Sequence, residues 1–247
     1  MLKSLGIIPA RYGSTRFPGK PLALIGGVTM IERVYRQAEK SQLDHIVVAT
    51  DDERIADTVS DFRGNVVMTD TDHATGTDRC REAFIKLNSK ADVVVNIQGD
   101  EPFIDPNQIN KVVELLQNSA VQIATLISQA VSEEEISNVN RVKVVVSTKG
   151  KALYFSRQAI PYNAPASANS WKEKYNHYIH LGLYAYRSQV LLELGHLTQS
   201  SLEIAESLEQ LRWLENGYEI HTAVTEGRAD AVDTPEDLKV IEKKYFL

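Results

Sequence analysis

The sequence has very little cysteine and no long apolar run. Cys80 is the only cysteine among 247 residues, which excludes an intrachain disulfide and a zinc site built from several cysteines. No segment approaches the roughly 18 consecutive apolar residues that predict a membrane-spanning helix. A strand-like segment begins directly after Ser4 and leaves no room for a signal peptide. We therefore expect a cytoplasmic protein with no membrane partner.

Positive charge is also scarce. The chain has 27 Lys and Arg residues against 33 Asp and Glu residues, which gives a formal net charge of −6. Domains that bind nucleic acids usually have a basic surface and a high isoelectric point, so we expect no nucleic-acid partner. Apolar residues make up 43% of the sequence, an ordinary fraction for a globular protein. This composition is still compatible with a local basic pocket for a nucleotide.

Short apolar runs alternate with amphipathic segments in the first half of the chain. The runs at 5–10, 46–50, 66–69 and 93–98 are largely β-branched, which is typical of strands buried on both faces. Helix-start signals lie between or after them, including a capping box at Thr29 and the pair Asp105-Pro106. This alternation predicts βαβ units, and hence a doubly wound α/β fold with a mostly parallel sheet.

The second half is less regular. Strands are predicted at 142–146, 153–155, 181–186 and 220–224, and their partial alternation of polar and apolar residues indicates a mixed sheet. We predict one helix from Ser200 to Gly217 and a last helix from Thr234. The segment 158–179 has no strong periodicity and is predicted to be a loop or arm within a single domain spanning 1–247.

A loop rich in cations follows the first predicted strand. Arg11, Arg16 and Lys20 lie within ten residues, together with Gly13 and Gly19. Ligands of open α/β sheets bind beyond the carboxyl ends of the strands, and such cations can neutralise a polyphosphate. The loop has neither the P-loop pattern nor the glycine pattern of dinucleotide-binding folds. It therefore predicts a different kind of nucleotide site, with a solvated surface loop as the alternative.

Two aspartates occupy chain reversals far apart in the sequence. Asp100 follows the fourth predicted strand through Gly99, and Asp233 directly precedes the last predicted helix. Mg²⁺ prefers oxygen ligands and usually takes one or two carboxylates together with phosphates and water. The pair is suited to a magnesium site, although Asp233 alone could equally serve the start of the helix.

Several segments together resemble the 3-deoxy-manno-octulosonate cytidylyltransferase (CMP-KDO synthetase) family. They are the loop at 9–22 and the segments 72–79, 95–102 and 231–238, and the stretches 152–157, 180–187 and 208–212 are also similar. The likeness runs through the whole chain in order. It implies a nucleotide-diphospho-sugar transferase fold with an inserted dimerisation arm at 158–179, and a homodimer. It also implies transfer of a cytidylyl group from CTP to the anomeric hydroxyl of 3-deoxy-D-manno-octulosonate (KDO), for lipopolysaccharide biosynthesis.

The resemblance also implies a role for each matching residue, with Mg²⁺ as the cofactor. It gives catalytic roles to Lys20, Asp100 and Asp233, and the two aspartates would hold the metal ion. The implied nucleotide-binding residues are Pro9, Ala10, Arg11, Gly13, Ser14, Arg16, Lys20, Ala74, Thr75 and Gly76. The implied sugar-binding residues are Arg79, Gln98, Arg157, His180, Tyr184, Glu209 and Gln210. Arginines suit the bidentate capture of a sugar carboxylate, whereas a lone histidine on a strand is more often structural.

Two alternatives remain open from the sequence. One is a related CMP-sugar-acid synthetase that acts on 8-amino-KDO or on a sialate. The other is a non-catalytic nucleotide-binding protein on the same fold, against which the presence of both Asp100 and Asp233 argues. The chain also has Gly27-Val28-Thr29-Met30 where the family usually has Gly-Lys-Pro-Met, a departure that removes no proposed ligand.

Overall fold

Strands and helices alternate through the computed structural model, which describes residues 2–13, 16–162, 175–227 and 230–246. The strands are β1 Ser4–Ala10, β2 Leu24–Ile25, β3 Val28–Thr29, β4 His45–Thr50, β5 Val66–Met68, β6 Val93–Asn96, β7 Ile123–Gln129, β8 Lys143–Val146, β9 Ala152–Ser156, β10 Tyr178–Arg187 and β11 Ile220–Val224. The helices are α1 Met30–Glu39, α2 Glu53–Asp61, α3 Gly76–Lys86, α4 Pro106–Leu115, α5 Glu133–Ser137, α6 Ser188–Leu194, α7 Ser201–Glu206, α8 Gln210–Glu215 and α9 Pro235–Phe246, and a 3-10 turn spans Lys20–Leu22.

The main sheet is mixed and mostly parallel. Its strand order is β11-β7-β10-β6-β1-β4-β5, and β10 runs antiparallel to both of its neighbours while the other strands of this path run the same way. Strands β8 and β9 extend the sheet beside β10. The predicted α/β fold with a mostly parallel mixed sheet is therefore confirmed.

Successive residues of the central strands supply two apolar cores, one on each face of the sheet. Ile8, Val48 and Val95 pack towards α1, α2 and α4. Their neighbours Ile7 and Val47 face the other way, towards α3, α6 and α8. Because side chains alternate between the faces of a strand, unbroken apolar runs are what a sheet covered on both faces requires.

The predicted single helix from 200 to 217 is wrong. Helix α7 ends at Glu206, Ser207 has a left-handed backbone with φ +51°, and α8 begins at Gln210. Inside this bend the Arg212 guanidinium pairs with both carboxylate oxygens of Glu203, at 2.6 and 2.8 Å, and both side chains are buried. A buried pair of charges needs such mutual compensation, and the bend allows it.

The prediction for 158–179 falls partly on residues that the structure does not describe, since 163–174 lie outside the described ranges. At its end, Tyr178 and Ile179 already belong to β10, so that strand is longer than predicted. Strand β7 and helix α2 had no sequence prediction. None of the described helices has the length and apolar character needed to cross a bilayer.

Candidate active site

Predicted site residues from four distant parts of the chain meet at the carboxyl edge of the parallel strands. They line a cleft of about 270 Å³. The predicted residues in its lining are Pro9, Ala10, Arg11, Arg16, Lys20, Ala74, Thr75, Gly76, Arg79, Gln98, Asp100 and Asp233. The position agrees with the general location of ligand sites in open α/β sheets.

Gly99 brings the loop after β6 unusually close to β1. A Cβ atom at this position would lie 2.9 Å from the carbonyl oxygen of Pro9, closer than real Cβ contacts. Any other residue would force the two segments apart and move Asp100 away from the end of β1. The glycine is therefore a packing requirement of the site.

Lys20 joins the two predicted metal ligands. Its ammonium nitrogen lies 2.7 Å from Asp100 Oδ2 and 3.6 Å from Asp233 Oδ1, and it donates to the carbonyl oxygen of Val232 at 2.9 Å. The Val232 amide in turn donates to the Asp100 carbonyl at 2.9 Å. Arg16 reaches Asp233 from the solvent side at 3.1 Å. Two acidic residues 133 positions apart in sequence are thus held around one cation.

The donor set of Asp100 and Asp233 fits a magnesium ion that also binds phosphates. Both carboxylates lie at the cleft, and both are partly exposed, with side-chain exposures of 27% and 46%. Among the described residues no group of three or more His, Cys, Asp or Glu side chains could hold a metal ion by itself. Mg²⁺ typically takes only one or two carboxylates and completes its shell with phosphate oxygens and water.

The loop Ala74–Gly76 forms a wall of small residues against the end of β1. Thr75 is the N-cap of α3, and its hydroxyl accepts a hydrogen bond from the Asp78 amide at 3.1 Å. A Cβ added to Gly76 would lie 3.4 Å from the Pro9 ring. Narrow space between small residues of this kind suits a flat base.

Arg79 lines the cleft but is already paired within the chain. It is 3% exposed, and its guanidinium lies 2.8 Å from the Asp51 carboxylate and also donates to the Thr69 hydroxyl. A third contact runs to the Asp70 carbonyl at 3.2 Å. Its predicted contact with a sugar carboxylate stays a prediction and would require an exchange of partners.

A bulge in β10 arranges the predicted sugar-binding residues on that strand. The pairing of β10 with β7 shifts between Leu181 and Tyr184, and a bulge re-aims the side chains beside it. Gln98 donates to the Gly182 carbonyl at 2.8 Å. The His180 ring packs edge-on against Phe155 and lies 5.2 Å from the Tyr184 ring. Burial lowers the pKa of His180 to about 3, so its imidazole is neutral at physiological pH.

Of the other predicted sugar-binding residues, Glu209 and Gln210 lie at the bend between α7 and α8, and Arg157 directly follows β9. None of the three is part of the cleft lining. Burial raises the pKa of Glu209 to about 7, even though hydrogen bonds from Thr77 and Thr75 act in the opposite direction. Gln210 is buried beside it. Arg157 donates to the backbone carbonyls of Glu206, Ser207 and Val139 at 2.8 to 3.2 Å.

Two predicted nucleotide-binding residues are not placed at the cleft. Ser14 lies outside the described residues, and Gly13 is not part of the lining.

The sequence analysis also missed His73 and Pro21, which line the cleft, and Asp51, which holds Arg79. Asp51 directly follows β4, so its position at a strand end was a usable signal. His73 contacts the Glu82 carboxylate, a pairing that no local pattern indicates.

Comparison with known proteins shows the family to which the chain belongs. The profile of the cytidylyltransferase family matches residues 5–220. The 3-deoxy-manno-octulosonate cytidylyltransferase of Bacteroides thetaiotaomicron is 54% identical over 245 residues, covering 98% of each chain. The enzyme of the same name from Parabacteroides distasonis is 52% identical over 243 residues, covering 97% of this chain and 96% of the relative.

Solved structures give the same result. A CMP:2-keto-3-deoxy-manno-octonic acid synthetase in complex with CTP superposes with a TM-score of 0.92 at 41% identity, covering 98% of each chain. The 4-diphosphocytidyl-2C-methyl-D-erythritol synthase of Anaerococcus prevotii, at 13% identity and a TM-score of 0.63, covers 98% of this chain and 96% of its own and shares the fold alone. The chain belongs to the 3-deoxy-manno-octulosonate cytidylyltransferase family of nucleotidyltransferases.

Proposed function

We propose that this chain transfers a cytidylyl group from CTP to the anomeric hydroxyl of KDO, giving CMP-KDO and pyrophosphate for lipopolysaccharide assembly. The observation that carries the proposal is the arrangement of Lys20 with Asp100 and Asp233 next to the small-residue wall at 74–76. Cations for a triphosphate, oxygen ligands for a divalent ion and a slot for a base lie in one cleft. Membership of the family supports the same reaction.

The reaction is an in-line displacement at the α-phosphorus of CTP. The anomeric oxygen of the sugar acid forms a bond to this phosphorus, and the bond from phosphorus to the oxygen that bridges the α- and β-phosphates breaks. The hydroxyl proton passes to solvent, and we assign no protein general base. Catalysis then consists mainly of positioning and charge stabilisation. Arg11, Arg16 and Lys20 would bind the phosphates, and Lys20 would exchange its carboxylate partners for phosphate oxygens.

Asp100 and Asp233 would hold Mg²⁺ in the complex with CTP. When bound, the ion supplies positive charge to the α-phosphate and to the leaving pyrophosphate. The two aspartates are suited to this task because Lys20 and the backbone bond from Val232 to Asp100 already bring them together.

Release of pyrophosphate from CTP, Mg²⁺ and KDO tests the proposal. N-acetylneuraminate or 8-amino-KDO in place of KDO, and UTP in place of CTP, are the controls. Release only with CTP and KDO is the expected result. Release with another sugar acid would keep the reaction type and reject the substrate. Binding of CTP without release with any sugar acid would favour a non-catalytic nucleotide-binding protein.

We also propose a homodimer that works in the cytoplasm, where cells keep CTP. Exposed apolar side chains near the extension of the sheet support self-association: Val131 is 64% exposed, Val139 50% and Leu153 59%. Val131 follows β7, Val139 lies between α5 and β8, and Leu153 belongs to β9, the strand that precedes the predicted arm. Light scattering coupled to size-exclusion chromatography distinguishes a dimer from a monomer of 27.6 kDa.

A further inference from the structure

A hydrogen bond connects the residue directly after the loop Ala74–Gly76 to the predicted sugar pocket. The hydroxyl of Thr77 donates to Glu209 Oε2 at 2.9 Å, across 132 positions of sequence. The Thr75 hydroxyl also interacts with this carboxylate. Both threonines flank Gly76, so the carboxylate of Glu209 is held by the turn of chain that begins α3.

Thr77 is placed to hold this carboxylate firmly. It is 3% exposed and lies in the first turn of α3, a helix that packs against β1, β4 and β6. Glu209 lies at the start of α8, directly after the bend at Ser207. The bond therefore connects a helix packed on the sheet, which begins at the loop 74–76, to the bent segment that carries Glu209 and Gln210.

The surroundings of Glu209 make the hydrogen bond from Thr77 important for stabilising the charged carboxylate. Among the described residues the buried Tyr184 hydroxyl has no hydrogen-bond partner, whereas the Tyr186 hydroxyl interacts with Thr77 and Asn96. Burial raises the pKa of both phenols above the usual range, and the negative charge of Glu209 raises it further. The titratable groups that face Glu209 are Asp78 and Cys80 on α3, Tyr184 and Tyr186 on β10, and Arg212 on its own helix. Because this carboxylate is largely shielded from water, losing the Thr77 donor leaves its charge with less compensation, from Thr75 and Arg212 alone.

We infer that Thr77 is a positioning residue: its hydroxyl holds the carboxylate of Glu209 in the orientation that accepts hydrogen bonds from the sugar acid. The inference rests on the proposed function and goes beyond it, because Thr77 acts through Glu209 and not by contact with the substrate. The same hydrogen bond connects the predicted sugar pocket to the loop Ala74–Gly76, where we propose that the base binds.

The test compares Thr77→Val, which keeps the shape and removes the donor, with Thr77→Ser, which keeps the donor. Pyrophosphate release is measured with KDO varied at saturating CTP, and with CTP varied at saturating KDO. We expect Thr77→Val to raise KM for KDO by about tenfold and KM for CTP by less than about twofold, the scale of one hydrogen bond to a charged group. Thr77→Ser should stay within about twofold of wild type for both.

A pH profile separates this role from a purely structural one. Donation to a carboxylate favours its charged form, so removing the donor should move the midpoint of kcat/KM for KDO to higher pH in Thr77→Val. Glu209→Gln is the second variant, used if Thr77→Val does not fold. It should raise KM for KDO and abolish the midpoint of the pH profile of kcat/KM for KDO.

The outcomes are distinguishable. An active wild type with an unchanged KM for KDO in Thr77→Val, equal rises of both KM values, or a midpoint that persists in Glu209→Gln would overturn the inference alone. A wild type that releases no pyrophosphate from CTP and KDO would overturn the proposed function and the inference with it.

Discussion

At the scale of single residues, the site is organised by the pairing of opposite charges around Lys20. Its side chain is only 16% exposed, so its ammonium group has lost most of its water and needs the oxygens of Asp100, Asp233 and Val232 in exchange. The sequence predicted that the lysine and both aspartates belong to one site. It did not predict that they touch, because contacts across 80 and 213 positions depend on the whole fold.

Asp100→Asn is expected to lower kcat by at least about 100-fold, because charge stabilisation by a metal ion amounts to several kcal/mol in the transition state. The affinity for CTP should change by less than about threefold, since the arginines and the wall for the base are untouched. Pyrophosphate release at saturating substrates gives kcat, and calorimetric titration with CTP gives the affinity.

Asp57→Asn is the matched control, because Asp57 is an exposed aspartate on α2, outside the cleft. It should behave as wild type in both measurements. A normal kcat in Asp100→Asn at ordinary Mg²⁺ concentrations would show that this carboxylate is not a metal ligand.

At the scale of elements, α9 links the two aspartates a second time. Asp233 lies just before the helix, and near its other end Tyr245 stacks on Phe103, with ring centroids 3.8 Å apart. Phe103 comes three residues after Asp100. Arg33 lies over the Phe246 ring at 4.6 Å and closes this aromatic cluster. Apolar contacts at the end of the helix thus help to fix where its beginning lies.

Tyr245→Ala is therefore expected to reduce kcat by about 10-fold while KM for CTP changes by less than about twofold, because small misplacements at a reacting centre are costly. Lys243→Ala, an exposed substitution on the same helix, is the control and should leave both constants unchanged. The rate of amide hydrogen exchange of residues 231–238, measured without substrate, should increase in Tyr245→Ala. Unchanged exchange together with an unchanged kcat would contradict the role of the stack.

Other elements show where local patterns fail. The helical periodicity from 200 to 217 is real, but it carries no sign of the bend that the Glu203–Arg212 pair stabilises. The bulge in β10 also has no local sequence pattern, because it involves a distant residue of β7: the Thr125 hydroxyl lies 3.1 and 2.8 Å from the carbonyl oxygens of Leu181 and Leu183 and can donate to one of them at a time. Both irregularities lie in the predicted sugar pocket. Under the proposed function, the features expected to shape substrate specificity are therefore the ones that local sequence predicts least.

At the scale of the whole molecule, the parallel half of the sheet was predictable and the pairing of its strands was not. Apolar runs such as the three valines of β6 indicate strands covered on both faces, and the structure confirms them. The antiparallel β10 lies between β6 and β7 and carries His180 and Tyr184, neither of which belongs to the lining of the cleft. No periodicity encodes that order, since it is chosen by the packing of all the strands together.

Burial of titratable groups near the site also links the stability of the whole chain to pH, with opposite signs. The pKa of His180 is lowered by burial to about 3, so the folded chain excludes a proton that the unfolded chain binds below about pH 6.5. The contribution of His180 to stability is complete above about pH 6.5 and is lost on acidification.

Burial raises the pKa of Glu101 to about 8 and that of Glu209 to about 7. Their contributions are complete below about pH 4.5 and are lost as pH rises through those values.

Single substitutions separate these contributions. Between pH 6 and pH 5, His180→Gln is expected to lose less stability than wild type, by about 1.2 kcal/mol, because most of one proton is no longer taken up on unfolding. Glu209→Gln should differ from wild type in the opposite direction over the same interval, because it lacks a group that gains stability on acidification. Urea unfolding at both pH values measures the change for each variant. Parallel profiles for wild type and His180→Gln would mean that this imidazole titrates in the folded chain as it does in water, and its enclosure by Phe155 and Tyr184 would not be what keeps it neutral.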